Sequence, residues 1–226
     1  GYLGFKHARE KMQRLFFVNA ARLWRLSICV EGTLAKPPLL IAANHCSYVD
    51  VVVVGSLSDI RFTPKSEVKQ WPFLGTMAKA FDVIFVSRAR ADSKTAQQSL
   101  FEALKNRDYV CVFPEGTTNN GRSLKPFKAS LFALAEQWPY EPPLTIQPIA
   151  ICYESVDGAP MNESNWDVVA WYGDDTLIRH LWRLSRVKEI KVTLKCLQPV
   201  NLREGENRKT LCADVQTAID RSLTGI

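Results

Sequence analysis

Two short segments hold the residues that can do chemistry. The first is Asn44-His45-Cys46-Ser47-Tyr48-Val49-Asp50, directly after the apolar run Leu39-Leu40-Ile41-Ala42-Ala43. The second, about seventy residues on, is Phe113-Pro114-Glu115-Gly116-Thr117, after the apolar residues Tyr109-Val110-Cys111-Val112. An imidazole near pH 7 can take a proton from a hydroxyl, provided a partner fixes its tautomer and stabilises the imidazolium. Asp50 is that partner for His45 if residues 45–47 turn and a helix begins near Tyr48. On a continuous helix, positions five apart would diverge by about 140°. Asn44 and Ser47 are expected to cap that helix and hold the turn. The logic is that of a Ser-His-Asp triad without the serine, so the hydroxyl would come from the substrate. A base, an orienting acid and a turn rich in backbone donors are the parts needed to move an acyl group onto a hydroxyl.

Other residues bear on the same site. Gly116 permits close backbone approach, and the amides and hydroxyls that follow it, from Thr117 onward, suit anionic oxygens. Arg88 ends the apolar run Asp82-Val83-Ile84-Phe85-Val86-Ser87, where open α/β sheets bind ligands, and its fork matches a phosphate. Competing chemistries find less support. Cys46 neighbours His45, and adjacent side chains point apart, so it is a poor nucleophile. Three histidines and no H-E-x-x-H give no metal site. No G-x-S-x-G elbow is present, against the usual serine hydrolase.

The elements that must position these residues alternate. Strands are expected at 28–31, 39–43, 60–63, 82–86, 109–113, 145–151, 166–171 and 189–197. Helices are expected at 48–57, 66–80, 93–106, 127–137, 174–185 and 207–223, the last marked by Leu211, Val215, Ile219 and Leu223 at helical spacing. This pattern predicts a single α/β domain, residues 31–226, with a mixed, mostly parallel sheet flanked by helices. Residues 1–30 stand apart as a basic, amphipathic N-terminal helix. There Phe5, Met12, Leu15, Phe16, Leu23 and Trp24 alternate with Lys6, Arg9, Lys11, Arg14, Arg22 and Arg25. Such a helix either lies in a membrane interface or packs its apolar side on the domain with its arginines in water.

The chain has 226 residues, enough for one large domain, and a net charge of +6 that suits an anionic partner. The basic residues cluster at the amino end, and no nucleic-acid-binding motif accompanies them. Six cysteines without a C-x-x-C pair read as reduced, buried thiols. No run of 18 apolar residues is present to span a bilayer.

Together the segments resemble the glycerolipid acyltransferase family, the group of lysophosphatidic acid acyltransferases. Residues 44–50 match its N-H-x-S-x-x-D block in full, and residues 113–117 match its F-P-E-G-T block in full. Residues 82–88 resemble its G-x-I-F-I-D-R block, with Asp82 for the glycine and Ser87 for the aspartate. Ile146-Gln147-Pro148-Ile149-Ala150 resembles its last block, and the likeness spans about residues 30–200. The resemblance implies transfer of a fatty acyl chain from acyl-CoA or acyl carrier protein to a lysolipid hydroxyl, with no other cofactor. It implies His45 as base and Asp50 as its orienting acid. It places Arg88, Glu115, Gly116, Thr117 and Lys65 at the acceptor's phosphate or headgroup. Leu124-Lys125-Pro126-Phe127-Lys128 resembles the segment that closes the cleft. The expected location is the cytoplasmic face of a bacterial inner membrane. The expected acceptor is 1-acylglycerol-3-phosphate, with lyso-ornithine lipid or lysophosphatidylcholine as alternatives, since Asp82 and Ser87 alter the headgroup block. The stretches Trp171-Tyr172-Gly173-Asp174 and His180-Leu181-Trp182 resemble a bacterial branch. Outside this class, a thioesterase would use His45 to activate water.

Overall fold

Residues 39–43 are apolar without alternation, so a strand built from them needs cover on both faces. The computed structural model, which describes residues 2–63, 90–106 and 108–224, supplies that cover. The strand, β2 (Leu39–Ala43), is fully buried. Leu39, Ile41 and Ala43 face one apolar cluster, while Leu40 and Ala42 face the other. The described strands are β1 (Leu26–Glu31), β2, β3 (Ile60–Phe62), β4 (Tyr109–Val112), β5 (Thr145–Val156), β6 (Ala159–Pro160) and β7 (Ile190–Cys196). They form one sheet in the order β1-β7-β5-β2-β4-β3, with β6 beside β5. The β1–β7, β5–β2, β2–β4 and β4–β3 pairings are parallel, and β5–β7 is antiparallel. The sheet is therefore mixed and mostly parallel, as the pattern of the sequence predicts.

The described helices are α1 (Tyr2–Leu23), α2 (Val49–Gly55), α3 (Arg90–Lys105), α4 (Ala133–Glu136), α5 (Trp166–Val169), α6 (Leu177–Ser185) and α7 (Arg208–Thr224). On one face of the sheet α2 brings Val49, Val52, Val53 and Val54 against Ile41, Ile149 and Ile151. On the other, α3 brings Leu100 and Leu104, and α7 brings Leu211, Val215 and Ile219, against Leu40, Val110 and Ile146. Asn207 starts α7 by accepting from the amides of Lys209 and Thr210.

Three expectations need correction. Residues 166–171 are not a strand: α5 occupies 166–169, and the Ala170 amide closes its last turn on Trp166 O. Asn162 and Asn165 fold the preceding chain into a tight turn through their side chains, which a short apolar run does not disclose. The helix expected over 127–137 is shorter. It opens as a 3₁₀ turn (Ala129–Phe132) and becomes α-helical only in α4. The leading amides are engaged elsewhere, Phe127 N by the Gln216 side chain and Lys128 N by Pro114 O. The helix expected from 174 begins at Leu177, where Thr176 caps it through Arg179 N. The helix expected at 66–80 and the strand at 82–86 lie outside the described residues.

Helix α1 packs on the domain. Gln13, Phe17 and Ala21 are buried, and the Gln13 side-chain amide donates to Ile60 O at 2.8 Å. Gly55 closes α2 directly against the Phe17 ring, where an added Cβ would lie 2.6 Å from it. The outer side of α1 leaves Met12 and Leu15 in solvent beside Lys11 and Arg14. Both readings of this segment thus have a face: one stripe holds the helix to the sheet, and another presents apolar and basic side chains outward. Among the described residues no helix is long and apolar enough to cross a membrane.

Candidate active site

The parallel pairing of β2 and β5 ends at Ala43 and Ile149. Asn44 prolongs it with its side chain, accepting from Ile151 N at 2.8 Å and donating to Ile151 O at 3.1 Å. Asn44 therefore pins the strand end and does not cap α2. Ser47 does act at the helix start, with its hydroxyl accepting from Val49 N at 3.3 Å. Between them the chain turns, and α2 begins at Val49 behind Tyr48.

That turn brings His45 and Asp50 together. His45 Nδ1 lies 2.9 Å from Asp50 Oδ2, with the carboxylate 1% exposed and the imidazole 17% exposed. Asp50 Oδ2 also accepts from the backbone amides of Cys46 (2.8 Å) and Ser47 (2.9 Å). Its other oxygen accepts from the Tyr153 hydroxyl at 2.7 Å. One buried carboxylate thus shapes the turn and orients the ring, and hydrogen bonds make good its lost hydration. With Asp50 on Nδ1, Nε2 is left to meet a substrate. The His45 ring stacks on Phe113 at 4.0 Å between centroids, and Phe113 in turn stacks over Phe62.

Glu115 joins the second segment to the first. Its Oε1 accepts from His45 N at 2.7 Å; its Oε2 accepts from Lys125 N at 2.8 Å and from the Asn119 side-chain amide. The carboxylate is buried and both oxygens are committed within the protein. Burial raises its pKa above the ordinary glutamate value, against the opposing pull of the bonds from Lys125, His45 and Asn119. The folded state therefore holds this proton more tightly than the unfolded chain does. Its contribution to stability is largest below the ordinary glutamate range and falls as pH rises through the raised value. Glu115→Gln should remove that slope, read by urea unfolding across about pH 4 to 8. It should also lower stability at neutral pH by about 1–3 kcal/mol, because one amide oxygen cannot face donors on both sides.

Gly116 follows with φ +71° in the left-handed region. Its α-carbon lies under the Lys128 side chain, whose Nζ would be 2.3 Å from an added Cβ. Beyond the turn Thr117 is exposed, and the Thr117 and Thr118 amides make no hydrogen bond among the described residues. The structure thus brings together His45, Asp50, Glu115, Gly116 and Thr117. Arg88 and Lys65 lie outside the described residues. The Cys46 thiol is buried and its pKa is raised well above normal, first by desolvation and then by Asp50, so it is an inert neighbour.

Some contributors are not legible from local sequence. Tyr153 reaches Asp50 across 103 positions, and only the β2–β5 pairing places it there. The Tyr48 hydroxyl meets His180 Nδ1 at 2.8 Å, and Trp171 N donates to Cys46 O at 2.8 Å, so α6 and the chain before it buttress the turn. Asn119, four residues after Glu115, is the exception: an amide at that spacing is a readable partner for a carboxylate in a turn.

A histidine held by a buried carboxylate at the end of a parallel strand, with no side-chain nucleophile against its ring among the described residues, is an arrangement suited to activating a hydroxyl of a substrate. A family model described as Acyltransferase matches residues 17–152, more than half of the chain, and the chain belongs to that family of O-acyltransferases. It is 33% identical over 217 residues to the lyso-ornithine lipid O-acyltransferase of Pseudomonas aeruginosa, covering 96% of this chain and 80% of that one. It is 28% identical over 182 residues to the 1-acyl-sn-glycerol-3-phosphate acyltransferase of Neisseria gonorrhoeae, covering 80% and 68%. The solved 1-acyl-sn-glycerophosphate acyltransferase of Thermotoga maritima superposes with a TM-score of 0.68 over 95% of this chain and 78% of that one. At 19% identity that likeness establishes the fold, the single mixed α/β domain.

Proposed function

We propose that this enzyme acylates the hydroxyl of a lysolipid at a membrane surface, taking the acyl group from acyl-CoA or acyl carrier protein. The observation that carries the proposal is the 2.9 Å contact between His45 and a fully engaged, buried Asp50. The acceptor hydroxyl gives its proton to His45 Nε2 as its oxygen attacks the thioester carbonyl. The tetrahedral oxyanion collapses, the C–S bond breaks, and the departing sulfur recovers the proton from the imidazolium. The transfer is direct: among the described residues the thiol beside His45 is that of Cys46, which is buried and held protonated. The Thr117 and Thr118 amides beyond Gly116 are the donors best suited to an anionic oxygen of substrate or intermediate. Glu115 acts from behind, as a positioning residue for the His45 turn.

For the acceptor we favour lyso-ornithine lipid over 1-acylglycerol-3-phosphate, reversing the order expected from the motifs. Relatives that cover nearly the whole chain bear the former name, and Ser87 stands where the headgroup block has an aspartate. The ornithine headgroup carries a carboxylate, which an arginine fork at Arg88 grips as it would two phosphate oxygens, and Lys65 would add a second charge. The test is transfer of labelled acyl groups from acyl-CoA and from acyl carrier protein to a panel of purified lysolipids. We expect ester formation on lyso-ornithine lipid, with Arg88→Ala raising the acceptor KM more than the donor KM. Transfer to lysophosphatidic acid alone would overturn the acceptor assignment. Release of free fatty acid without any ester would overturn the transferase mechanism in favour of a thioesterase.

A further inference from the structure

Helix α6 has two apolar sides, and the fold uses one. His180 and Leu184 point inward and are buried. Ile178, Leu181 and Trp182, at spacings of three and four, share the opposite side and are 81%, 37% and 61% exposed. Single exposed apolar residues are ordinary on a protein surface, but a contiguous helical row ending in tryptophan is not. Arg179 and Arg186 flank the row in solvent, and the Arg186 guanidinium lies 4.6 Å from the centre of the Trp182 ring. Arg183 is excluded from this flank by its ion pair with Asp175.

We infer that the outer face of α6 is a membrane-docking surface, on which Ile178, Leu181 and Trp182 enter the headgroup–acyl boundary of an anionic leaflet while Arg179 and Arg186 meet its headgroups. Apolar and aromatic side chains on one stripe with arginines at its border are the composition of a helix lying in the interface plane. Charge selects this occupant over a second copy of the chain. A two-fold contact through this face would set Arg179 and Arg186 near their own copies, whereas an anionic surface attracts both, as it does a chain of net charge +6. The position also serves the site: behind the docking row, His180 holds the Tyr48 hydroxyl, and Trp171 holds Cys46 of the catalytic turn. The inference rests on the membrane-surface part of the proposed function and not on its chemistry.

The test is partition of the full chain onto vesicles of phosphatidylglycerol and phosphatidylcholine, without acyl donor. Ile178→Ser/Trp182→Ser should lower the partition coefficient about tenfold or more. Trp182→Phe should keep most of the binding but lose the part of the tryptophan emission that acyl-brominated lipids quench. His45→Ala should bind as the wild type does, so a failed reaction and a failed docking surface give different results. Undiminished binding of the double variant, or unchanged quenching in Trp182→Phe, would overturn the proposal. So would a wild-type dimer in sedimentation that the double variant converts to monomer.

Discussion

His45→Ala should lower the turnover of acyl transfer by about 10²–10⁴-fold while the protein stays folded. The imidazole is the only group in the turn that can receive the hydroxyl proton: Asp50 is enclosed by its own donors, and Glu115 has both oxygens engaged behind the backbone. The fold tolerates the loss because the structural bonds of this residue run through its backbone. His45 N still donates to Glu115, and Asp50 still accepts from the amides of Cys46 and Ser47. The stacking on Phe113 is forfeited, at about 0.5–1.5 kcal/mol. The measurement is kcat and KM for both substrates beside a thermal melt, and the loss should fall on kcat. Near-normal turnover in a folded variant would remove His45 from the mechanism.

The contact between His45 and Asp50 was legible in the sequence because its geometry is local. Five positions separate the two residues, the strand before them is announced by uninterrupted apolar residues, and one turn suffices to close the contact. The role of Glu115 was legible only as a carboxylate at a strand end. That it faces the backbone of His45 follows from β2 and β4 lying side by side, a pairing that no local pattern encodes. Tyr153 is concealed for the same reason: along β5 it is one apolar residue among several, and its hydroxyl acquires meaning only beside Asp50. Asn44 misled in the opposite way. A strand end followed by a helix invites capping, but the unpaired edge of Ile151 offers a donor and an acceptor together, and a side-chain amide matches both. The outer face of α6 shows the limit of periodicity. Its apolar spacing is helical, yet only the burial of His180 and Leu184 reveals which side the fold has left over.

Asp50→Asn should cut turnover nearly as deeply as loss of the base, and it separates charge from shape. The amide has the size of the carboxylate but one acceptor oxygen. Three donors, His45 Nδ1, Cys46 N and Ser47 N, converge on Oδ2, while the Tyr153 hydroxyl meets the other oxygen and can rotate to accept. The asparagine should therefore keep its oxygen on the turn and aim its NH₂ at Tyr153. The turn survives at a cost of about 1–3 kcal/mol, since charge-assisted bonds become neutral ones. The negative charge that stabilises the imidazolium is gone, and the corresponding exchange in serine protease triads costs about 10⁴ in kcat. A loss of about 10²–10⁴ in kcat, with KM for both substrates within a few-fold, is the expected outcome. Tyr153→Phe supplies the contrast, because it removes one bond from the far oxygen and leaves the charge on His45, so its kcat should fall by less than about tenfold. Were Asp50→Asn to keep turnover within a few-fold of the wild type, the carboxylate would be a brace for the turn alone, and His45 would work without an electrostatic partner.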